Sequence, residues 1–170
     1  MKIRRKWAMP NGDTFCIKPI GEFVQRYLTD SQVSIDPFAR NCEWATYTND
    51  LNSNTKAQFH TDALDFVQSL PKRVKPDLVI FDPPYSLRQA KECYEGVGRE
   101  FTQRDGQIIN RYRELKDAIH AILSPNAVVL SFGWHTNGMG KKRGYEIEEI
   151  LLVAHGSGHN DTICMAERRL

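Results

Sequence analysis

The sequence predicts an α/β fold whose sheet is mostly parallel and ends in a C-terminal antiparallel hairpin. Short apolar runs rich in β-branched residues alternate with segments of helical periodicity, the pattern of a parallel sheet covered by helices. The run 78–81 ends abruptly at Asp-Pro-Pro-Tyr, residues 82–85, because neither proline can donate to a sheet ladder. The last two runs are separated only by the turn 155–159, so we expect them to pair antiparallel.

Each element follows from the spacing of apolar residues and from the residues that end it. The first nineteen residues show no period and are predicted to be irregular. Pro71 and Pro125 end two helices because proline cannot continue a helix. Helices are predicted over 20–28, 62–70, 86–95 and 107–123. Strands are predicted over 33–35, 46–48, 57–60, 77–81, 127–134, 145–154 and 162–167, with a Gly- and Lys-rich loop over 135–144.

Length and composition are those of an ordinary soluble protein. The chain has 170 residues, of which 41% are hydrophobic and 26% charged, and we expect one domain over 1–170. No apolar stretch is long enough to span a membrane, and no apolar signal core follows the basic N-terminus, so a cytoplasmic location without a membrane partner is expected. Four scattered cysteines without a CxxC pair predict reduced thiols and no metal site.

The turn after the run 78–81 has the groups needed to methylate an amino group on a base. The lone pair of such a nitrogen is conjugated into the ring, which makes it a poor nucleophile. The Asp82 carboxylate and the Pro83 carbonyl can each accept one N–H and so steer the lone pair towards a methyl donor. Tyr85 can stack on the target base after the base has left the stack of its nucleic-acid duplex. Asp-Pro and Pro-Pro are also common in plain loops, but the strand before and the tyrosine after favour the functional interpretation.

Three further acids stand at the predicted ends of strands or at the start of a helix. Asp36 and Asp50 follow strands, where a carboxylate can hold the two ribose hydroxyls of an adenosine cofactor. Asp62 begins a helix, so it is either a helix N-terminal acid or an acceptor for the amino group of adenine. Any one of them could be an ordinary polar end. Together with Asp82 they indicate a single pocket.

At these residues the chain resembles the amino-methyltransferases that use S-adenosylmethionine, especially N6-adenine DNA methyltransferases, including small phage-borne members. Residues 36–39, Asp-Pro-Phe-Ala, match the start of the family's Asp-Pro-Phe-x-Gly-Ser-Gly segment, and residues 82–85 match its catalytic tetrapeptide. The resemblance implies a Rossmann-like class I methyltransferase fold with S-adenosylmethionine as cofactor. It implies catalytic roles for Asp82, Pro83, Pro84 and Tyr85, and cofactor contacts from Phe15, Ile17, Pro19, Asp36, Pro37, Phe38, Ala39, Asp50, Leu51, Asp62, Ala63 and Asp82.

The chain departs from the family pattern at Arg40-Asn41-Cys42, which replaces Gly-Ser-Gly. Asn41 is expected to adopt the positive φ that a glycine would supply, and Arg40 could reach the cofactor carboxylate or a phosphate. Only nineteen residues separate Asp62 from Asp82, so no recognition domain fits between them. We therefore expect short or relaxed specificity, unless a homodimer or an auxiliary recognition partner supplies further contacts.

Nucleic-acid contacts are expected from side chains near the catalytic turn. Trp134 ends an apolar strand and could wall the pocket of the target base. Arg88 lies in the segment 86–106, which is either a mobile lid or a solvated helix and loop. Lys141, Lys142 and Arg143 stand between glycines after the same strand, so they either clamp a nucleic-acid backbone or belong to a plain flexible loop.

The leading functional hypothesis is transfer of a methyl group to the N6 of adenine in DNA. The net charge of +2 is too small to identify a nucleic-acid partner by itself. RNA remains an alternative substrate, methylated at adenine N6 or at guanine N2 of ribosomal RNA. A catalytically inactive module that binds nucleic acid or S-adenosylmethionine is the alternative from another functional class.

Overall fold

Seven strands form one sheet, and both faces of its centre are covered by helices. The structure of the protein, a computed structural model, describes residues 1–102, 108–156 and 158–170. The strands are β1 (Lys2–Trp7), β2 (Ser34–Asp36), β3 (Tyr47–Thr48), β4 (Leu78–Phe81), β5 (Val128–Gly133), β6 (Tyr145–Ala154) and β7 (Thr162–Arg169), in the order β1-β6-β7-β5-β4-β2-β3. Strand β7 is antiparallel to β5 and β6, and every other neighbouring pair is parallel. The predicted fold class, including the C-terminal hairpin, is confirmed.

Helices cover the two faces of β4, which explains its unbroken apolar sequence. The helices are α1 (Lys18–Thr29), α2 (Ala63–Ser69), α3 (Leu87–Gly96) and α4 (Ile108–Ile122). Leu78 and Ile80 pack into the hydrophobic core that α1 contributes to, while Val79 and Phe81 pack into the core built with α2 and α4. Successive side chains of a strand point to opposite faces, so a strand buried on both sides has no polar face.

Two predictions about strands were wrong. The first nineteen residues contain β1, which pairs in parallel with β6 from Lys2 opposite Glu149 to Trp7 opposite Ala154, and a 3-10 helix over Thr14–Cys16. The apolar period is hidden in β1 because an edge strand tolerates charged side chains on both faces. The predicted strand 57–60 is reduced to one parallel bridge between Asn49 and Phe59. The other elements lie within two residues of their predicted bounds at each end that the structure describes; Gln107 and Ser157 lie outside the described residues.

The loop after β5 runs along the sheet from the carboxyl ends of the parallel strands to their amino ends. Strand β6 is parallel to β5, so the chain leaves β5 at its carboxyl end and must return to the opposite edge before Tyr145. The Glu167 carboxylate anchors this loop by accepting from the backbone N–H groups of Met139 (2.5 Å) and Gly140 (2.9 Å). A Cβ on Gly138 would clash with the Glu167 carboxylate and the Met165 methyl group, so a larger residue there would displace the Glu167 carboxylate from these contacts. The loop is therefore held to the sheet by specific contacts.

Neither a membrane-spanning helix nor a metal-binding cluster occurs in the ranges that the structure describes. None of the helices there combines the length and the apolar character that crossing a membrane requires. No group of three or more His, Cys, Asp or Glu side chains in these ranges is arranged to hold a metal ion.

Candidate functional site

The turn 82–85, predicted to be catalytic, lies where β4 ends and is held by the helices that follow it. The Tyr85 hydroxyl donates to Asp82 Oδ1 at 2.5 Å, and the Tyr85 N–H donates to Gln89 Oε1 at 2.7 Å. From α4, the Tyr112 hydroxyl donates to the Pro84 carbonyl at 3.0 Å. The Tyr85 ring meets Trp134 edge to face, with 5.7 Å between ring centroids. The tetrapeptide is thus a fixed structure with an aromatic pair beside its carboxylate.

Burial changes the acid–base properties of this turn. It raises the pKa of Asp82, although hydrogen bonds from Tyr85 and Thr14 and the charge of Arg40 act in the opposite direction. Burial, followed by the neighbouring Asp82 carboxylate, also raises the pKa of Tyr85. Tyr85 therefore remains a neutral donor at physiological pH, and Asp82 takes up a proton more readily than a solvated aspartate does.

Asp36 is the most deeply buried acid at this edge of the sheet. It is 1% exposed, and its Oδ1 accepts from the Phe38 N–H at 2.9 Å. Its Oδ2 is buried and has no hydrogen-bond partner among the described residues. Burial raises the pKa of Asp36 well above its ordinary value; the Phe38 N–H opposes this, while the charges of Asp82 and Asp50 add to it. A buried acceptor without a donor is unfavourable in the unliganded protein, so Asp36 has the capacity to accept from a bound cation or N–H group.

A pocket opens between the ends of β2 and β3, the turn after β4, and helix α3. Its empty volume is about 740 Å³ with the solvent at its mouth included. Seven of the sequence-predicted site residues line it: Pro37, Phe38, Asp50, Leu51, Asp62, Ala63 and Pro84. The other lining residues are Asn49, Thr61, Leu64, Ala90, Cys93, Tyr94, Phe101, Tyr112 and Leu115. Apolar walls with a few polar groups are typical of small-molecule sites.

Two of the pocket acids already accept hydrogen bonds from the protein. Asp50 accepts from the backbone N–H groups of Arg40 (3.1 Å) and Asn52 (2.8 Å), which shapes the loop around it. Asp62 is the N-cap of α2, as one of its two predicted roles required, and its Oδ1 accepts from Leu64 N–H at 3.0 Å. Its Oδ2 accepts from the Tyr94 hydroxyl at 2.8 Å, so α3 is linked to α2 beside the pocket.

The backbone and contacts of Arg40-Asn41-Cys42 differ from those predicted. Arg40, and not Asn41, adopts the positive φ, at 50°. The Arg40 guanidinium donates to the Gly12 carbonyl at 2.6 Å and pairs with Asp13 at 3.1 Å. The predictions that Asn41 supplies the left-handed residue and that Arg40 reaches a ligand are therefore not supported. Arg40 instead joins the loop after β2 to the N-terminal segment.

Several predicted cofactor residues support the site without lining the pocket. The Phe15 ring stacks near Trp44 (5.9 Å between centroids) and meets Phe132 at 5.3 Å, while Ile17 is buried in the same core. Pro19 lies in the first turn of α1, and Ala39 is buried in the loop after β2. These residues position the N-terminal segment against the sheet. Asp82, Pro83 and Tyr85 stand in the turn 82–85 next to the pocket, whose wall includes Pro84.

The structure separates the predicted nucleic-acid contacts. Trp134 is 41% exposed and lies beside Tyr85 as expected. Arg88 is exposed on α3 and pairs with Glu92 at 2.8 Å. The cluster Lys141–Arg143 precedes β6 and therefore lies at the sheet edge opposite Asp82, where Arg143 donates to Asp117 at 2.7 Å. We expected this cluster at the same ends of the strands as Asp82, and this expectation was wrong. The loop runs to the opposite, amino ends of the parallel strands before residues 141–143.

Three residues of the site had no clear signal in the sequence. Tyr94 and Tyr112 come from helices that follow the turn, and their hydroxyls meet Asp62 and the Pro84 carbonyl. The buried Asn49 amide donates to the carbonyls of Pro37 and Thr61, at 3.1 and 3.0 Å, and so holds two pocket loops together. Such contacts depend on non-local packing. The available signal for Asn49 was its position directly before Asp50, at the end of β3.

No protein-family model matches the chain, and no curated protein sequence matches it. Solved structures do share its fold. The N-methyltransferase NodS from Bradyrhizobium japonicum WM9 matches with a TM-score of 0.57 and 8% identity over 94% of this chain and 99% of its own. TrmN from Thermus thermophilus matches with a TM-score of 0.59 and 15% identity over 89% of this chain and 48% of its own. SMU.1697c from Streptococcus mutans, solved in complex with SAH, matches with a TM-score of 0.54 and 10% identity over 86% and 95%. These likenesses establish a Rossmann-like methyltransferase fold.

Proposed function

We propose that this protein transfers the methyl group of S-adenosylmethionine to the N6 amino group of adenine in DNA. The observation that carries the proposal is the position of the turn 82–85. It stands at the carboxyl end of β4, directly beside a pocket whose wall contains Pro84 and the acids Asp50 and Asp62. Ligands of open α/β sheets bind at this edge, so one edge offers both a donor site and an acceptor site.

The residues of the pocket suit an adenosine and a methionine group. Asp50 can hold ribose hydroxyls, the Phe38 ring offers an apolar wall, and Asp62 can accept from the adenine amino group in place of the Tyr94 hydroxyl. The unpaired Oδ2 of Asp36 suits the ammonium group of the methionine end. When bound, S-adenosylmethionine supplies an electrophilic methyl group. The SAH bound to SMU.1697c is the demethylated form of the same compound, which supports this cofactor.

The turn itself suits the amino group that receives the methyl. Asp82 and the Pro83 carbonyl would each accept one N–H, which directs the nitrogen lone pair out of the ring plane. Tyr85 and Trp134 would contact the extruded base with their rings. The proton that the nitrogen loses would pass to solvent by way of Asp82, whose raised pKa makes it a better acceptor than a solvated aspartate.

A direct test incubates the protein with isotope-labelled S-adenosylmethionine and DNA and measures N6-methyladenine by mass spectrometry. We expect labelled product from the wild type and a loss of about 100-fold or more in Asp82→Asn, since an amide cannot accept the proton. Glu146→Gln, an exposed change on β6, is the matched control and should keep full activity. Absence of the product, or equal activity in Asp82→Asn, would contradict the proposal.

RNA is the second candidate substrate. Two acceptors at Asp82 and Pro83 recognise an exocyclic amino group and do not read the sugar, so guanine N2 or adenine N6 of ribosomal RNA would also fit the turn. Methyl incorporation into duplex DNA, single strands and ribosomal RNA, compared at equal base concentration, distinguishes the candidates. Preferential methylation of ribosomal RNA would identify RNA, and not DNA, as the substrate.

An inactive binding module is the third candidate, and one observation favours it. Asp82 and Asp62 already accept hydrogen bonds from Tyr85 and Tyr94, so a ligand must displace protein donors to reach them. Calorimetry with S-adenosylmethionine tests this together with the methylation assay. Cofactor or nucleic-acid binding without any methyl transfer would identify the module, whereas turnover would exclude it.

A further inference from the structure

Strand β1 presents an unusual combination of charge and exposed apolar surface. Four of its six residues, Lys-Ile-Arg-Arg-Lys-Trp, are cationic, and it is the edge strand of the sheet. Ile3 is 61% exposed and Trp7 is 64% exposed. Exposed tryptophan is uncommon on a protein surface that has no partner, and here it stands next to lysine and arginine.

The register of β1 divides its exposed side chains between the two faces of the sheet. Ile3, Arg5 and Trp7 pair with Ile150, Leu152 and Ala154 of β6, so these side chains share one side of the sheet. The opposite side carries Lys2, Lys6 and Arg4, and Arg4 pairs with Glu149 at 3.3 Å. Among the described residues, no acid lies within ion-pair distance of Lys2, Arg5 or Lys6. These three cations are therefore available to an anionic partner.

The same charges argue against a second copy of this chain as the partner. Antiparallel pairing of β1 with another β1 would place cationic side chains opposite or diagonal to one another, and like charges across strands are destabilising. Lysine and arginine on an edge strand prevent such pairing. A polyanion has the complementary charge, and an aromatic ring beside cations is the arrangement that single-stranded nucleic acids bind.

Trp7 lies at the carboxyl ends of the parallel strands, as the turn 82–85 does. It ends β1 opposite Ala154, and β1, β6, β5 and β4 all run in the same direction. Four strand spacings separate β4 from β1, a distance of about 19 Å at roughly 4.8 Å per spacing. That distance is about five or six nucleotides of a strand stacked as in a duplex, at 3.4 Å per nucleotide, and fewer nucleotides of a more extended single strand.

We propose that β1 is a second contact for the nucleic-acid strand whose target base enters beside Tyr85. Arg5 on the Trp7 side, and Lys2 and Lys6 on the other side of this open edge strand, contact the nucleic-acid phosphates, and Trp7 stacks on an unpaired base about 19 Å from the target. This rests on the proposed function for the identity of the strand. It assigns substrate binding to a surface of the methyltransferase fold itself, in a chain where no recognition domain lies between β2 and β4.

The test measures binding of a fluorescein-labelled single-stranded 20-nucleotide DNA by fluorescence anisotropy, without cofactor. We expect Trp7→Ala to weaken binding about 5-fold or more, the effect of losing one stacked base. In the double variant Arg5→Glu, Lys6→Glu, the slope of log K against log salt concentration should become shallower by about 1.4, which is 0.7 for each lost phosphate contact. The matched control Lys141→Glu, Lys142→Glu removes equal charge at the opposite edge and should change neither quantity. Trp7→Phe should retain most of the affinity, because its ring still stacks.

Oligonucleotide length supplies an independent readout. A dinucleotide cannot reach from Tyr85 to Trp7 even when extended, so Trp7→Ala should raise the KM for methylation of the 20-mer and leave that of the dinucleotide unchanged. Equal affinity of wild type, Trp7→Ala and the β1 charge variant for the 20-mer would overturn the inference, as would a wild type that binds no strand. Binding through β1 without methyl transfer would overturn only the proposed function.

Discussion

At the scale of single residues, Asp36 has an environment far from that of a solvated acid. Its Oδ2 is buried without a donor, and burial raises its pKa well above the ordinary 3.8. A raised pKa in the folded protein means that the folded state binds the proton more tightly than the unfolded chain does. Stability therefore falls as the pH rises from about 3.8 to the folded pKa, and the loss persists at higher pH.

Asp36→Asn should consequently stabilise the unliganded protein at pH 7. The amide keeps an Oδ1 acceptor for the Phe38 N–H and removes the cost of an ionised buried group. Urea unfolding should give the variant a higher free energy of unfolding than the wild type at pH 7. This difference should shrink below about pH 4. Calorimetry should show an affinity for S-adenosylmethionine about 10-fold or more lower, since a charge-assisted hydrogen bond is lost.

The exposed Asp30 provides the control for this prediction, because Asp30→Asn should change neither the stability nor the affinity. A variant Asp36→Asn that is less stable than the wild type at pH 7 would show that the carboxylate has a donor in solution.

At the scale of elements, the buried Glu149 joins α1 and β1 to β6. Arg26 from α1 donates to both carboxylate oxygens, at 3.0 and 3.1 Å, and Arg4 from β1 lies 3.3 Å away. Burial acts to raise the pKa of Glu149, but the hydrogen bonds and charge of Arg26, with the charge of Arg4, hold it below its ordinary value. This stability is present above the unfolded pKa and is lost as the pH falls through the folded one.

Glu149→Gln should lower the free energy of unfolding at pH 7 by about 2–3 kcal/mol. That is less than the 3–5 kcal/mol for breaking a fully buried pair, because Arg26 is 45% exposed. Chemical denaturation at pH 7 and near pH 3 measures the effect, which should diminish at the lower pH. Glu148→Gln, which breaks the more exposed pair with Arg168, should cost less than about 1 kcal/mol. Equal effects of the two substitutions would contradict this account of Glu149.

At the scale of the whole molecule, the pocket gathers loops that are distant in the chain. Its walls come from the ends of β2 and β3, from the turn after β4, and from α2, α3 and α4. A ligand that contacts all of them binds the folded state and not the unfolded chain. Ligand binding is therefore linked to global stability.

S-adenosylmethionine at 100 times its dissociation constant should add about 2.7 kcal/mol, which raises the Tm by about 5–10 °C in a domain of this size. Differential scanning fluorimetry measures the shift. Free methionine is the control ligand, because it lacks the adenosine part and should produce little change at the same concentration. No shift with millimolar S-adenosylmethionine would contradict the assignment of this pocket.

Local patterns predicted the central sheet and the position of the turn 82–85 well. The apolar run 78–81 and the two prolines after it are properties of adjacent residues, so the end of β4 could be located without any knowledge of its neighbours. The acids Asp36, Asp50 and Asp62 were recognisable because each lies at the end of an element or within two residues of it. Seven predicted residues accordingly line one pocket.

The sequence by itself determined the order of the helices and of strands β2 to β7, apart from the extra strand predicted over 57–60, because periodicity and proline act over a few residues. Only the tertiary structure decided that β1 joins the sheet and that Lys141–Arg143 lies opposite the active edge. Only it revealed the contacts of Tyr94 and Tyr112. The physical reason is that strand direction, sheet edge and side-chain contacts depend on pairing between residues far apart in the chain, which no local pattern encodes.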